Sequence, residues 1–177
     1  MIERLSPIPE TLIGFIEQGG WVLVPIFMVT LVMWTLIFEK LIYLAKVYPD
    51  QCKAYQATWR QREDKESWHA HQIRNELISK LTQDLRRSVP MIKSLIALCP
   101  LLGLLGTVTG MIEVFDVLAI AGSGNARAMA EGVSRATIPT MAGMVAALSG
   151  LYWAARLTRR VEKESRKFSD QLELTNA

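Results

Sequence analysis

The chain has 177 residues, half of them hydrophobic and 21% charged, with a formal net charge of +3 at pH 7. That length suits one domain, and so small and dispersed an excess of base gives no concentrated face for nucleic acid. The charged residues avoid three windows, Trp21 to Phe38, Ser94 to Ile112 and Ala136 to Ala155. Each is about 18 to 20 residues long, enough to cross a hydrocarbon layer roughly 30 Å thick. A chain this short has no soluble core able to bury three such helices. The expected fold is an all-α membrane protein with three transmembrane helices and long cytoplasmic helical extensions.

Eleven Lys and Arg residues lie between Lys40 and Lys93 and six between Arg156 and Lys167, against Arg4, Arg127 and Arg135 elsewhere. The positive-inside rule puts the N-terminus outside and both basic segments inside.

In chain order, residues 1–20 form an outer, periplasmic segment. Pro9 to Glu17 sets Leu12, Ile13, Phe15 and Ile16 on one broad apolar side, as in a short helix lying on a membrane surface, and Gly19-Gly20 ends it. Pro7 and Pro9 interrupt any signal-peptide pattern, so the first span is expected to be retained. That span, 21–44, is bulky, with Trp21, Phe27, Met28, Met33, Trp34 and Phe38, and suits lipid better than tight packing. Glu39-Lys40 closes it, either as an interfacial anchor or as a specific contact to another subunit, followed by Tyr43 and Tyr48.

The inside segment 45–93 carries Ile73, Leu77, Ile78, Leu81 and Leu85 at three- and four-residue steps, the pattern of an amphipathic helix expected to run on into the second span. Cys52 lies in this segment and Cys99 in the second span, so both are expected to be free thiols. His69 and His71 are a weak metal signal without further ligands. The second span covers 94–121, a short periplasmic connection 122–134, the third span 135–155, and the tail 156–177 is expected to continue that helix.

The second and third spans hold the small and hydroxylated residues. Glycine costs about 1 kcal/mol in a helix interior, so Gly103, Gly106 and Gly110 need a compensating gain, which close approach of another helix supplies. Thr140, Gly143, Ala147 and Gly150 line one side of the third span at steps of three, four and three. Measured inward from Glu113 and Arg135, Thr107 and Thr140 lie at roughly 9 and 7.5 Å, which is similar depth. Their hydroxyls either join helices or line a path. No span carries a carboxylate, histidine or lysine near its middle, so a proton relay here needs a titrating group from a partner.

At the outer end, Glu113 and Asp116 sit one turn apart, with Arg127, Glu131 and Arg135 opposite at four-residue steps; these form local ion pairs or a cation entrance. Pro100 and Pro139 free the carbonyls of Ile96 and Arg135. There is no phosphate-cradling glycine loop and no nucleophile with a nearby base, so no enzyme and no cofactor are expected.

Pro100-Leu-Leu-Gly-Leu-Leu-Gly-Thr-Val-Thr-Gly-Met-Ile112 and Gly132-Val-Ser-Arg-Ala-Thr-Ile-Pro-Thr-Met-Ala-Gly143 resemble the second- and third-span signatures of the ExbB family, relatives of TolQ and more distantly MotA. Glu39-Lys40 resembles the acid-base pair that commonly ends that family's first span. The resemblance implies a homopentameric bundle around a central pore that holds the transmembrane helices of an ExbD dimer, each bearing the aspartate missing here. Thr107 and Thr140 match the family's pore-facing threonines on the proton pathway. Gly103, Gly106, Gly110, Gly143, Ala147 and Gly150 would then pack the pore wall, with Glu113, Asp116, Glu131 and Arg135 as candidate ion pairs at its entrance. A proton-motive-force motor in a Gram-negative inner membrane follows, passing energy to TonB for iron-siderophore or vitamin uptake. The alternatives are a TolQ-like subunit of the envelope motor and a passive scaffold. Arg135 stands where many relatives have glutamate, so no ion-path role carries over to it, and pairing with Glu131 or a partner carboxylate is expected instead. Ser149 stands where many have proline.

Overall fold

A computed structural model describes residues 19–61, 67–121 and 126–173, and the regular structure among them is entirely helical. Helix α1 covers Leu23–Ile42, a π-helical turn follows at Tyr43–Val47, and α2 covers Tyr48–Arg60. Then come α3 at Trp68–Arg86, α4 at Val89–Ala121 and α5 at Ala126–Glu173. Three helical stretches, within Leu23–Arg60, Trp68–Ile120 and Met129–Leu172, are long and apolar enough to cross a membrane.

Local chemistry explains where the helices start and stop. Gly20 takes φ of 67°, a left-handed backbone open to glycine at no steric cost, and a turn at Trp21 and Val22 leads into α1. The break expected at Gly19-Gly20 is therefore present, while the amphipathic segment before it lies outside the described residues. At the other end of α1 the helix does not stop. Pro49 has no N–H to give, and the Tyr48 N–H bonds back to the Tyr43 carbonyl in a widened turn that carries α1 into α2.

Helix α3 starts at the Ser67 cap, whose hydroxyl oxygen accepts from the Ala70 N–H at 3.2 Å. Its expected apolar side faces inward, with Leu81 and Leu85 buried and Ile73, Leu77 and Ile78 half-buried. The expectation that this helix continues into the second span is met by one helical stretch, Trp68–Ile120, whose α-helical bonding lapses for a single turn at Arg87 and Ser88 between α3 and α4. Pro90 can neither donate to the Arg86 carbonyl nor share its space, but fits the first turn of a new helix. Helix α5, by contrast, runs without a break for 48 residues through the third span and into the tail, as expected. It already begins at Ala126, so most of the expected connection 122–134 is helical.

The described residues divide into two compact units, one of 19–33 with 95–121 and 126–150, the other of 34–61 and 67–94 with 151–173. In the first, Val22, Leu23 and Ile26 form a cluster against which Leu102 and Ala142 pack. Trp21, Phe27 and Met28 are exposed, as a lipid-facing first span requires. Met33 is fully buried against Gly150, so this helix also has a packing side that its bulk did not announce.

In the second unit the core holds Ile37, Trp59, Leu81, Leu85, Ile92, Leu157, Val161, Phe168 and Leu172. Polar bonds tie its helices together. The Tyr48 hydroxyl donates to the Glu164 carbonyl at 3.1 Å, Thr82 and Ser165 share a bond of 2.8 Å, and the Gln56 amide donates to Gln171 at 2.6 Å. Lys40 is buried, its Nζ donating to the Asp84 carbonyl at 2.9 Å and lying 4.5 Å from the Tyr43 ring centroid. The expected interfacial anchor is thus a cap on the C-terminal carbonyls of α3, where a cation also suits the helix dipole.

Candidate functional site

Helices α4 and α5 lie antiparallel in the first unit, and each glycine proposed from sequence sits where the other helix comes close. A methyl group at Gly103 would stand 2.9 Å from the Thr140 Cα and 3.0 Å from the Pro139 carbonyl oxygen. At Gly110 it would meet Ala136 at 2.7 Å, and at Gly106 it would overlap the Pro139 ring and stand 3.3 Å from Val22. From α5, Gly143 faces the Cys99 carbonyl, Gly150 faces Met33 and Ile96, and Gly132 faces Val114. Ala147, on the same side as Gly143 and Gly150, is half-buried. The missing side chains let two backbones touch, and close van der Waals contact holds helices together where lipid supplies no hydrophobic drive.

The two threonines belong to this seam in different ways. The Thr140 hydroxyl donates across it to the Gly103 carbonyl at 2.9 Å. Thr107 donates to the Leu104 carbonyl of its own helix at 2.7 Å. Gly106 faces Pro139, so Thr107, one residue further, and Thr140 lie within one turn of each other in depth. A carbonyl can only accept, so both hydroxyl protons are committed to the backbone, and what each threonine offers a third group is an acceptor lone pair. That suits a water or a protonated carboxyl. Sequence reasoning placed both residues at one depth but had no means of telling the helix-joining hydroxyl from the self-bonded one.

The charges around Glu113 and Arg135 gather less than the spacing implied. Arg135 donates to Glu131 at 2.8 Å, with both side chains more than half exposed, so the pair contributes little stability. Glu113 and Asp116 are exposed and make no ion pair among the described residues, and the side chain of Arg127 lies outside the described set. Arg135 therefore pairs on its own helix, as its reversed charge led one to expect. No group of three His, Cys, Asp or Glu residues able to hold a metal occurs among the described residues, and His69 and His71 are exposed.

The profile of the MotA/TolQ/ExbB proton channel family matches residues 48–170. The chain belongs to this family. It is 47% identical over 70 residues, 38% of its length, to the biopolymer transport protein ExbB-like 1 of Synechocystis sp., of which the match covers 28%. It is 30% identical over 105 residues, half of each chain, to ExbB-like 3 of the same organism. The chain thus spans no more than half the length of these curated relatives. With three helices able to cross a bilayer, it is an integral membrane protein of ExbB type. The family match takes in the whole α4–α5 seam and both threonines. It begins at residue 48, after the whole of α1, where Lys40 makes the cap that a lysine after an apolar run does not advertise.

Proposed function

We propose that this protein is the channel and stator subunit of a proton-driven motor that, with an ExbD-type partner, energises TonB-dependent uptake of iron-siderophores and vitamins across an outer membrane. Five copies surround a central pore, with the N-terminus periplasmic and the basic segments in the cytoplasm of a Gram-negative cell. The observation that carries this reading is the pair of threonine hydroxyls at one depth in a seam that lacks any Asp, Glu, Lys, Arg or His from Ser94 to Ile112 and from Ala136 to Ala155. Such a wall conducts protons only around a carboxyl brought by another chain. With their own protons held by backbone carbonyls, Thr107 and Thr140 receive that carboxyl when it is protonated. The chain itself breaks and makes no covalent bonds.

The test is Thr107→Val and Thr140→Val in a strain relying on this subunit, co-produced with its ExbD-type partner. Iron-siderophore uptake is expected to be lost in both while native mass spectrometry still shows the assembled complex. Normal uptake in both variants overturns the pore role.

A further inference from the structure

The second unit exposes a set of cations that the motor reading leaves unused. Cross-helix contacts order its layers: the Trp34 and Trp153 rings meet at 6.3 Å between centroids, Lys40 reaches the Asp84 carbonyl, Tyr48 reaches the Glu164 carbonyl and Thr82 reaches Ser165. The rod of α1 and α2 and the end of α5 therefore run the same way, with α3 opposed. In that register Lys46, Arg86, Arg87, Arg159 and Arg160 share a band about two helical turns deep, with Lys93 and Arg156 on its apolar side. All seven are exposed, and none makes an ion pair among the described residues. Among the described residues Glu39, Asp84 and Glu162 stand against them in the band, with Glu164, paired to Lys167, at its edge. Directly above lies an aromatic cluster. Trp34 packs on Phe38 at 5.4 Å and Tyr152 on Trp153 at 5.8 Å, and the Arg156 guanidinium lies 6.0 Å from the Trp153 ring centroid.

We infer that this collar binds anionic phospholipid headgroups of the leaflet at that end of the spans. Aromatic rings with one polar edge settle at headgroup depth, and unpaired Lys and Arg beside them gain from each phosphate they meet. Guanidinium forks at Arg156, Arg159 and Arg160 follow one another at the end of the third span and match a phosphate's paired oxygens. The occupant is a lipid rather than a free phosphate, because the cations follow directly, along the same helices, on the aromatic cluster of Trp34, Phe38, Tyr152 and Trp153.

The test uses the full-length purified complex, offered phosphatidylglycerol and phosphatidylcholine of distinguishable mass, with retained lipid read by native mass spectrometry. Phosphatidylglycerol is expected to be retained at least about tenfold over phosphatidylcholine, and Arg156→Gln/Arg159→Gln/Arg160→Gln to abolish most of that preference. Arg166→Gln/Lys167→Gln, further along the same helix, is the control expected to keep it. Equal retention of the two lipids overturns the inference, as does a triple variant that retains phosphatidylglycerol like the parent. A triple variant that falls apart into smaller oligomers also overturns it and makes the collar a contact between subunits.

Discussion

Replacing Thr140 by valine removes the hydroxyl that spans 2.9 Å to the Gly103 carbonyl, whereas the same change at Thr107 removes a bond internal to one helix turn. Interhelical bonds of this kind contribute about 1 kcal/mol in membrane proteins. Thr140→Val should therefore lower the unfolding midpoint of the purified protein, Thr140→Ser should restore it, and Thr107→Val should leave it nearly unchanged. Equal losses at both positions would show that the hydroxyls are not mechanically distinct. Gly143 gives a sharper case, since a methyl there runs into the Cys99 backbone carbonyl, which cannot rotate aside. Gly143→Ala should cost about 1–3 kcal/mol of stability, as overpacking does, with loss of folded yield as the readout. The spacing of these residues on one face was legible from the sequence. Which hydroxyl crosses the seam was not, because that depends on a carbonyl 37 residues away.

At the level of elements, charge-free runs and apolar steps identified the spans, α3 and the tail helix, while α2 at Tyr48–Arg60 and the turn between α3 and α4 were not foreseen. The apolar steps of α3 point straight toward the second span, yet Pro90 deletes one ladder bond and the helix closes at Arg86. Pro100 and Pro139 make the same deletion inside α4 and α5 without ending them. The difference lies in surroundings: in the seam, Pro139 is packed against Gly106, whereas Arg86 and Arg87, one turn ahead of Pro90, are exposed and their carbonyls are open to water. Lys40 then closes the end of α3 by donating to the Asp84 carbonyl. Lys40→Met keeps the bulk and removes the donor. Hydrogen exchange in the last turn of α3 is expected to speed up by about tenfold, matching a loss near 1.4 kcal/mol, with exchange in the middle of α5 unchanged. Unchanged exchange at residues 83–86 would mean that the cap contributes nothing.

For the molecule as a whole, Gly106 shows how subunit and assembly depend on one another. Its neighbours are Pro139 and Val22 of the same chain, so Gly106→Leu is expected to prevent the subunit from packing and, through that, to abolish the oligomer on native mass spectrometry. An unaltered oligomer would show that the seam tolerates a large side chain. Orientation has its own probe in Cys52, which is half-buried and whose thiol burial pushes above its ordinary range. A higher value leaves less thiolate at neutral pH, so a membrane-impermeant maleimide should label it slowly at pH 7 and faster as pH rises, and only after the cytoplasmic side is opened. Labelling in intact cells whose outer membrane alone is permeabilised would reverse the proposed topology.

Three charge-free runs, an asymmetric distribution of Lys and Arg, and two glycine-threonine signatures were sufficient to specify a three-span protein of the MotA/TolQ/ExbB family, because chain length against bilayer thickness and the cost of buried charge leave few other solutions. Pairing lay beyond their reach. That Gly103 faces Thr140, that Lys40 seals α3 rather than only anchoring α1, and that Arg135 pairs with Glu131 of its own helix all depend on the register between segments. A one-dimensional pattern fixes which side of a helix is small, polar or apolar. The depth and partner that side meets are set when two such helices pack, and at this seam the backbones themselves make the contact.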